Sequence, residues 1–364
     1  MRNNNTDNNY PNVAYTKLVG VQSNPPPYRI SQAEAQQFAE DFFGSKVKGL
    51  ARLLGSFMNA EIDSRHLCVP LDWFAGPKTF QQKNDSYIEQ SVELSAEAIS
   101  KLLQRFDLQP TDIDYLFFVS STGLATPSID ARLIGKLGFR PDTKRLPIWG
   151  LGCGGGALGI AHVNDVLRGA PESTAILVNV ELCSLTFQFS DYTKSNLIAT
   201  ALFSDGVTAT LFSGADSDLP GCSILAGGTT LWPDSLDVMG WNLQNDGMQV
   251  VFSQSIPAIV RDKMSDCLSQ FLADEGLALD DIAHLLIHPG GRKVLEAYSE
   301  ALDRPEESFA LSREIIREYG NCSSATVMMV IERFLERRRY QDGELALVTA
   351  LGPGFSSGNV LLQL

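Results

Sequence analysis

The chain has 364 residues, of which 44% are hydrophobic and 20% are charged, and its formal net charge is −14. This length exceeds a single ordinary core and predicts two domains or one duplicated unit. The acidic balance disfavours nucleic acid as a partner, since nucleic-acid binding needs a basic face, and no apolar run approaches the ~20 residues of a membrane span.

The chain begins with a polar, asparagine-rich segment. Residues 1–13 lack the hydrophobic stretch of a secretory signal and predict a disordered tail. The six cysteines form no C-x-x-C pair and have no zinc-site spacing with histidine. Without a secretion signal, they are expected to be reduced thiols in a cytoplasmic protein. They are Cys68, Cys153, Cys183, Cys222, Cys267 and Cys322.

The first well-marked element is a helix that begins after Ser31. Ser31 is the expected N-cap, Glu34 completes a capping box, and Gly44 ends the helix. Further along, apolar strands alternate with helical stretches. Near-continuous apolar strands such as YLFFV at 115–119 predict a sheet covered on both faces, and therefore a layered α/β architecture.

The second half of the chain repeats the first. Each half has a strand, a small-residue turn that opens a helix, an apolar strand, and a Phe-Ser-x-Gly turn before a final strand. A repeat of this length indicates two duplicated halves rather than a solenoid, whose repeats are ~20–50 residues long. A polar, turn-rich stretch at 215–221 gives halves of 14–218 and 219–364. The paired segments are 112–119 and 281–288, 153–160 and 321–328, 175–182 and 345–352, and 203–206 and 355–358.

Cys153 differs from the other thiols in its surroundings. It lies in WGLGCGGGALG, where a strand ends, the chain turns on glycines and a helix begins. Glycines allow strained backbone angles and close approach of a substrate, and the positive end of a helix dipole favours a thiolate. The pattern is typical of a nucleophile elbow. The alternative is a buried structural thiol at a glycine-rich helix contact.

His288 and Asn321 are expected to meet Cys153. His288 ends a strand and precedes Pro-Gly-Gly, and layered α/β folds build their sites at strand ends. Asn321 falls at the repeat position of Cys153, so the pseudo-symmetry of the halves would bring the two helix N-termini together. Taken alone, His288 could be an ordinary core histidine and Asn321 a helix cap.

From about residue 14 to the C-terminus, the sequence resembles those of type III polyketide synthases. These are the chalcone-synthase-like enzymes of the thiolase-fold superfamily. The resemblance is closest to the bacterial branch, through VSSTGLATPS and ELCSLTF. It implies a layered αβαβα fold made of two thiolase-like halves. The motifs that carry it are WGLGC around Cys153, IHPGG around His288, YGN-x-SS around Asn321, ALF-x-DG around Phe203, and GPGF at 352–355.

The resemblance also implies a mechanism. Cys153 takes an acyl group from an acyl-CoA, and His288 holds the thiol as a thiolate–imidazolium pair of lowered pKa. His288 and Asn321 then donate hydrogen bonds to the thioester oxygen of malonyl-CoA while it loses carbon dioxide. The enolate attacks the acyl group, the cycle repeats, and the product cyclises in the same cavity. No metal or redox cofactor is needed, and the family is homodimeric.

Further positions correspond to the family's pocket. Phe203 matches a gatekeeper phenylalanine between the CoA tunnel and the cavity. The second gatekeeper falls at Val250, which would widen the mouth, and Trp241 replaces a glycine of the plant pattern, which would reshape the cavity. The loop Gly352-Pro353-Gly354 would shape the cavity backbone. The other expected pocket residues are Ser121, Thr122, Thr126, Thr186, Ala199 and Thr200.

The expected CoA contacts are less complete. Arg52 matches one cationic position of the plant pattern, whereas two others fall at Gly55 and Asn59. Arg292 and Lys293, which follow the His-Pro-Gly-Gly turn, are therefore expected to supply charge. The bacterial-type motifs most resemble alkylpyrone and alkylresorcinol synthases, which take fatty acyl-CoA starters. We expect a fatty acyl starter and two or three malonyl extensions.

Three alternatives remain open on the sequence. A ketoacyl-carrier-protein synthase III has Cys, His and Asn on the same fold, although the Gly-Pro-Gly-Phe loop argues against it. A Cys-His thioester hydrolase would use the same nucleophile. An inactive thiolase-fold binding protein would need a damaged triad, and here the three residues are intact.

Overall fold

The structure is a computed structural model that describes residues 15–47 and 49–364, so the tail predicted at 1–13 lies outside the described residues. None of the helices in these ranges is long and apolar enough to cross a membrane. The strands are β1 Lys17–Ser23, β2 Tyr28–Ser31, β3 Ser64–Leu67, β4 Tyr115–Ser120, β5 Lys144–Trp149, β6 Thr174–Leu182, β7 Asp205–Ser213, β8 Cys222–Leu231, β9 Met239–Gln244, β10 Gly247–Phe252, β11 His284–Ile287, β12 Leu345–Gly352 and β13 Ser356–Gln363. The helices are α1 Gln32–Phe43, α2 Leu50–Asn59, α3 Phe80–Arg105, α4 Ile129–Leu137, α5 Gly155–Arg168, α6 Lys194–Leu202, α7 Ile256–Asp274, α8 Arg292–Leu302, α9 Ala310–Tyr319 and α10 Ser324–Arg337.

The main sheet shows the predicted duplication directly. Its strand order is β11-β12-β13-β8-β1-β7-β6-β4-β5. Read from each outer end, β4-β6-β7-β1 and β11-β12-β13-β8 have the same arrangement. The first pair in each half is parallel, and the next two pairs are antiparallel. The first half has one additional strand, β5, which runs parallel to β4.

Three large apolar cores hold five layers of helix and sheet together, and the central core occupies both sides of the middle helical layer. Successive side chains of a strand point to opposite faces, and β4 shows this clearly. Leu116 and Phe118 pack with helix α3 in the outer core of the first half. Phe117 and Val119 pack with α5 and α10 in the central core. A third core joins α7 and α8 to the second half of the sheet. The layered αβαβα fold predicted from the sequence is therefore confirmed.

The first predicted helix is present as α1. Its N-cap is Ser31, whose hydroxyl accepts a hydrogen bond from the backbone N–H of Glu34. The Glu34 carboxylate in turn accepts from the Ser31 backbone N–H at 2.7 Å, which completes the capping box. Gly44 ends the helix with a φ of +40°, a left-handed angle that glycine adopts without strain.

Helices α5 and α10 cross at a glycine, and this contact positions the site. A Cβ added to Gly156 would lie 2.3 Å from Val327 Cγ1 and 2.6 Å from the Ser324 carbonyl oxygen. Only a residue without a side chain lets the first turns of the two helices touch. The turns that precede these helices carry residues 153 and 321, so the close crossing brings them to one centre.

Two strand pairs lie outside the main sheet. Strand β2 pairs with β3, and β9 pairs with β10, both antiparallel. The β9–β10 hairpin places Trp241 opposite Val250. It covers the region in front of residue 153, as the cavities described below show.

Candidate active site

Cys153 lies on a turn that runs directly into α5. The strand, glycine turn and helix expected around it are all present. Gly152 has a φ of +47°, and a Cβ there would lie 2.6 Å from Pro353 Cδ, so the turn requires glycine for two independent reasons. The Cys153 side chain is buried, yet it lines a cavity that we call the reaction chamber.

A continuous set of hydrogen bonds links Cys153, Asn321 and His288. The Ser323 side chain hydrogen-bonds to the Cys153 thiol. The Ser323 backbone N–H donates to Asn321 Oδ1 at 2.8 Å, and Asn321 Nδ2 donates to the Gly290 carbonyl at 3.2 Å. The Gly290 N–H donates to the His288 carbonyl at 3.0 Å. These bonds connect the turns that carry the three residues, whereas neither His288 nor Asn321 lines the chamber together with Cys153.

The backbone at this centre is strained. Ser323 has a φ of +49°, in the left-handed region that residues other than glycine seldom occupy. Such strain is held in place by surrounding contacts and is concentrated at functional sites. Here it turns the chain so that Ser323 reaches Cys153 while Asn321 faces Gly290.

The imidazole of His288 is buried and has no hydrogen-bond partner among the described residues. Its backbone N–H donates to the Thr349 carbonyl at 2.9 Å, which fixes the end of β11 against β12. Neither ring nitrogen has a hydrogen-bond partner among the residues that the structure describes. Buried nitrogens without partners are costly, so a ligand or an adjacent reactive group is the natural partner of this ring. Burial lowers the pKa of His288 to about 4.

Burial acts on the thiol in the opposite sense. It raises the pKa of Cys153 to about 12, with a smaller lowering by the hydrogen bond from Ser323 and a further rise from the charge of Glu181. Each group therefore favours its neutral form when it is considered alone. The raised pKa of the Cys153 thiol is the opposite of the lowered pKa expected from the sequence. The pKa rises because a thiolate that is buried alone loses its hydration.

Glu181 is a buried carboxyl group beside the nucleophile, and sequence reasoning assigned it no role. It is the second-last residue of the apolar strand β6 and accepts hydrogen bonds from the Ser121 backbone N–H at 3.1 Å and from Ser324 Oγ at 2.9 Å. Burial raises the pKa of Glu181 to about 7. The available signal was a single acidic residue in the run AILVNVEL, since carboxylates are almost never fully buried without partners.

Phe203 lies where the gatekeeper was expected, and it has an aromatic partner. Its backbone forms a parallel bridge with Asn321. Its ring meets that of Phe252 edge to face, with centroids 6.2 Å apart and an interplanar angle of 82°. Val250 lines the chamber as expected, but Phe252, two residues along the same strand face, adds a second ring. The wider mouth expected from valine at position 250 stays a prediction.

The reaction chamber is narrow and mostly apolar. The loop Gly352-Pro353-Gly354 contributes to it through Pro353 alone. Gly352 instead gives close backbone contact, since a Cβ there would lie 2.4 Å from the Leu151 carbonyl oxygen. Of the predicted positions, the chamber is lined by Ser121, Cys153, Phe203, Trp241, Val250 and Pro353.

A second cavity, which we call the side cavity, adjoins the chamber. Cys183, Phe203 and Val250 line both spaces. The predicted pocket residues Thr186, Ala199 and Thr200 line the side cavity rather than the chamber. Most of its remaining wall is hydrocarbon, from Ile30, Ala35, Phe38, Leu67, Leu71, Phe74 and Phe187, and its polar residues are Arg65, Ser184 and Asn196.

Two predicted pocket residues lie elsewhere. Thr122 is buried beside the chamber, where its hydroxyl accepts a hydrogen bond from the Leu182 N–H at 2.9 Å, and it lines a small separate cavity. Thr126 is exposed on the loop after β4 and lines none of the cavities found among the described residues. The loop that carries Thr126 runs along the surface of the single chain, so the pocket role of Thr126 stays a prediction.

A wide outer cavity lies on the other side of the Phe203–Phe252 pair. Phe252 lines both this cavity and the chamber. The predicted Arg292 and Lys293 line it, as do Gly55 and Asn59, and so does Lys194, which sequence reasoning missed. Arg52 belongs to α2, but its side chain lies outside the described residues.

The cations of the outer cavity differ in their partners. Arg292 forms ion pairs with Glu61 at 3.3 Å and with Glu296 at 3.1 Å. Within the described part of the chain, neither Lys194 nor Lys293 has an ion-pair partner. The two lysines are therefore the cations available to an anionic ligand there.

The His, Cys, Asp and Glu side chains of the described ranges form no candidate metal site. No group of three or more His, Cys, Asp or Glu residues there is arranged to hold a metal ion. All six cysteines are free thiols.

Comparison with known proteins gives the family. Residues 56–220 match the model described as FAE1/Type III polyketide synthase-like protein, and residues 224–364 match the chalcone and stilbene synthase C-terminal domain. The chain belongs to the type III polyketide synthases. It is accordingly an acyltransferase that condenses acyl units with loss of carbon dioxide. Membership excludes the carrier-protein synthase and the thioester hydrolase left open by the sequence.

Individual relatives align with nearly the whole length of this chain. A candidate chalcone synthase of Bacillus subtilis (strain 168) is 40% identical over 95% of this chain and 98% of its own length. The 1,3,6,8-tetrahydroxynaphthalene synthase of Streptomyces peucetius subsp. caesius is 38% identical over 96% and 93%. The crystal structure of the corresponding synthase from Streptomyces coelicolor A3(2) superposes with a TM-score of 0.91 at 26% identity, over 95% of this chain and 99% of that one.

Proposed function

We propose that this synthase loads a fatty acyl-CoA on Cys153, extends it two or three times with malonyl-CoA, and cyclises the product to an alkylpyrone or alkylresorcinol. One observation supports the choice of starter: the mainly apolar side cavity adjoins the chamber and shares Cys183, Phe203 and Val250 with it. A starter held on Cys153 has its reacting end in the chamber, so its tail needs a space that continues from there.

The side cavity suits a linear alkyl chain in shape and polarity. Its wall is mainly Phe, Leu, Ile and Ala side chains, and it is narrow. Each methylene buried there contributes about 0.8 kcal/mol relative to water. An alkyl chain therefore gains binding free energy in proportion to the length that fits.

In the proposed mechanism, Cys153 acts first, and His288 and Asn321 act in the condensation step. The Cys153 sulfur attacks the acyl-CoA carbonyl carbon, the C–S bond to CoA breaks, and the acyl enzyme forms. Malonyl-CoA then loses carbon dioxide, and the electron pair of the broken C–C bond forms an enolate. The N–H groups of His288 and Asn321 stabilise its oxygen. The enolate carbon attacks the acyl group, Cys153 leaves as thiolate, and the lengthened chain returns for another cycle.

The nucleophile is proposed to rest as a thiolate–imidazolium pair. Burial destabilises an isolated thiolate and an isolated imidazolium. It destabilises the two ions less when they form together, because each ion is then the other's counter-ion. The Ser323 hydrogen bond and the N-terminus of α5 add to the stability of the thiolate. Moving one proton from Cys153 to His288 keeps the site neutral overall.

The outer cavity is proposed to hold the CoA moieties of both substrates. Lys194 and Lys293 line it without ion-pair partners in the described ranges, and phosphate groups are recognised by such free cations. Arg292 is less suited to the role than the sequence suggested, since Glu61 and Glu296 already engage it. The pantetheine arm would pass between Phe203 and Phe252 to reach Cys153.

We propose that the synthase is a cytoplasmic homodimer. Strand β5 forms an edge of the main sheet, and Trp149 at its end is 48% exposed. Its indole N–H donates to the Gly123 carbonyl, which ties the edge to the loop that carries Leu124 and Thr126. A second copy on this edge would cover these side chains and would bring Thr126 close to the neighbouring subunit. The cytoplasm accords with six free thiols.

A second product class is favoured by the relatives. Two tetrahydroxynaphthalene synthases, 38% and 28% identical, are among them, as is a phloroglucinol synthase of Pseudomonas fluorescens at 27%. A small aromatic polyketide made without an alkyl starter is therefore the alternative. It would need only the chamber and not the side cavity.

The experiment that separates the two combines acyl-CoAs of graded length with malonyl-CoA and identifies products by mass spectrometry. We expect kcat/KM to rise with starter length to an optimum set by the side cavity. Ala199→Phe, which fills that cavity from α6, should move the optimum to shorter chains. Ala273→Phe, the same exchange at an exposed position of α7, should leave the optimum unchanged. Acceptance of short starters only, or products from malonyl-CoA alone, would instead support the second class.

A further inference from the structure

Arg65 is a buried cation without a carboxylate partner. It lies on β3, its side chain is 2% exposed, and no ion pair involves it among the residues described. A buried charge normally has a counter-ion or a dense set of hydrogen bonds. Arg65 has the second arrangement, and its acceptors lie at the active site.

The guanidinium binds the end of α6. Its Nη1 donates to the carbonyls of Thr200 and Phe203, and its Nη2 donates to the carbonyl of Ala201 and to the Gln32 side chain. These backbone oxygens belong to the last turn of α6 and to the residue after it, where a helix leaves its carbonyls without internal partners. A cation at this end also complements the helix dipole.

The same short segment holds Asn321 on its other side. The Asn321 N–H donates to the Leu202 carbonyl at 2.9 Å, and the Ser204 N–H donates to the Asn321 carbonyl at 2.9 Å. The Ser204 hydroxyl is in turn fixed to the His66 backbone, which follows Arg65 on β3. The segment 202–204 therefore lies between the strand that carries Arg65 and the residue that donates to the substrate oxygen.

We propose that Arg65 is a positioning residue that sets the gate ring of Phe203 and the amide of Asn321 together. This inference rests on the proposed function, because it assigns Arg65 to the condensation step in which Asn321 acts. Arg65 does not line the chamber that contains Cys153, although it forms part of the wall of the side cavity. It acts through the backbone of 200–203, and its planar fork reaches three carbonyls that a lysine ammonium would not span with the same geometry.

The test compares two steps of the reaction in Arg65→Lys. Loading is followed as acylation of Cys153 by intact-protein mass spectrometry, and condensation as release of carbon dioxide and of polyketide. Loading should change less than about threefold. Condensation should fall by on the order of tenfold to a hundredfold, since an ångström-scale shift of a donor has effects of that size. More of the released product should be truncated chains.

Controls separate positioning from general damage. Arg304→Lys makes the same exchange at an arginine that donates to the Leu279 carbonyl at 2.9 Å, away from the site, and both steps should stay as in wild type. If Arg65→Lys does not fold, Gln32→Met decides instead. Gln32 accepts from Arg65 and donates to the Ala201 carbonyl at 3.1 Å, so its loss should shift the ratio of the two steps in the same direction by less.

The outcomes are distinct. If wild type condenses malonyl-CoA and a folded Arg65→Lys keeps the wild-type ratio of condensation to loading, the role given to Arg65 is overturned. An unchanged ratio in Gln32→Met overturns it equally when Arg65→Lys cannot be obtained. If wild type itself does not condense malonyl-CoA, the proposed function fails first.

Discussion

At the scale of single residues, the reactivity of Cys153 depends on the position of one proton. Burial favours a neutral thiol and a neutral imidazole, with pKa values of about 12 and about 4 when each is taken alone. Both ring nitrogens of His288 lack protein partners within the described residues, and we propose that one of them accepts the thiol proton. The resulting ion pair would make Cys153 nucleophilic near neutral pH.

The pH dependence of alkylation measures this proton directly. With an ion pair, the rate of Cys153 carbamidomethylation by iodoacetamide should reach a plateau by about pH 7, because the reactive thiolate is then already formed. In His288→Gln, the partner that accepts the proton is lost, and the rate should rise about tenfold per pH unit up to pH 9. A wild-type rate that rises in the same way would contradict the ion pair.

Glu181 gives a prediction on stability. Burial raises the pKa of its carboxyl group from 4.5 to about 7, so the folded state binds more protons than the unfolded chain between these values. The free energy of unfolding should therefore fall as pH rises through this window. In Glu181→Gln, this part of the pH dependence should vanish, so the variant gains about 2 to 3 kcal/mol on wild type between pH 5 and pH 8.

Urea unfolding at the two pH values tests this point. Glu93→Gln is a suitable control, since Glu93 forms an exposed ion pair with Lys136 at 2.7 Å. Exposed pairs contribute about 1 kcal/mol or less, so the control should follow wild type at both pH values. If Glu181→Gln also follows wild type, the carboxyl group is not perturbed as described.

At the scale of elements, the crossing of α5 and α10 is the critical contact. In Gly156→Ala, the new Cβ would meet the stiff side chain of Val327 and the Ser324 carbonyl oxygen at 2.3 and 2.6 Å. Overpacking of this kind costs about 1–3 kcal/mol. The variant should be less stable by about 2 kcal/mol, and its condensation rate should fall because the turn that leads into α10 carries Asn321 and Ser323.

Thermal and urea unfolding of a matched pair tests this crossing. Gly135 lies inside α4, and a Cβ there would meet nothing within 4 Å. Gly135→Ala should therefore gain about 0.5–1 kcal/mol from the reduced freedom of the unfolded chain. Equal effects of the two exchanges would show that the close crossing does not limit residue 156.

The helices and strands of the central layer were predictable because their sequence pattern occurs in both halves of the chain. The segments that begin at Cys153 and Asn321 both open helices, and the strands after them recur, so duplication predicts that the two helices meet. The alternation of Leu116, Phe117 and Phe118 between two cores follows in the same way from a continuous apolar strand.

The contacts around the site were less predictable, for a physical reason. Phe252 and Arg65 act through tertiary geometry: a ring reaches Phe203 from a hairpin, and a guanidinium reaches the end of α6 from a separate strand pair. No local spacing encodes either contact. Glu181 was visible as an acidic residue near the end of an apolar strand, but its neighbours Ser121 and Ser324 come from distant parts of the chain.

At the scale of the whole molecule, the net charge of −14 opposes an anionic substrate. The cations of the outer cavity must overcome this field locally. Lys194→Glu should raise KM for malonyl-CoA severalfold and leave kcat nearly unchanged, because Lys194 lies at the mouth and not at Cys153. Raising the salt concentration should reduce the difference from wild type.

The control for this effect is a matched change of global charge. Lys101→Glu alters the net charge by the same amount on α3, where Lys101 pairs with Glu97 at 2.8 Å and lines none of the cavities described. Its KM should remain within about twofold of wild type. Equal rises of KM in both variants would show that the global field, and not Lys194, determines CoA binding.

The central claim is that Cys153 carries the acyl group of a condensing enzyme. Its most direct test is intact-protein and peptide mass spectrometry after mixing with a fatty acyl-CoA. We predict one acyl adduct on Cys153 in wild type, loss of that adduct on addition of malonyl-CoA, and no adduct in Cys153→Ala. Cys183→Ala, which removes the other chamber thiol, should keep the adduct. An adduct that persists in Cys153→Ala and disappears in Cys183→Ala would contradict the account.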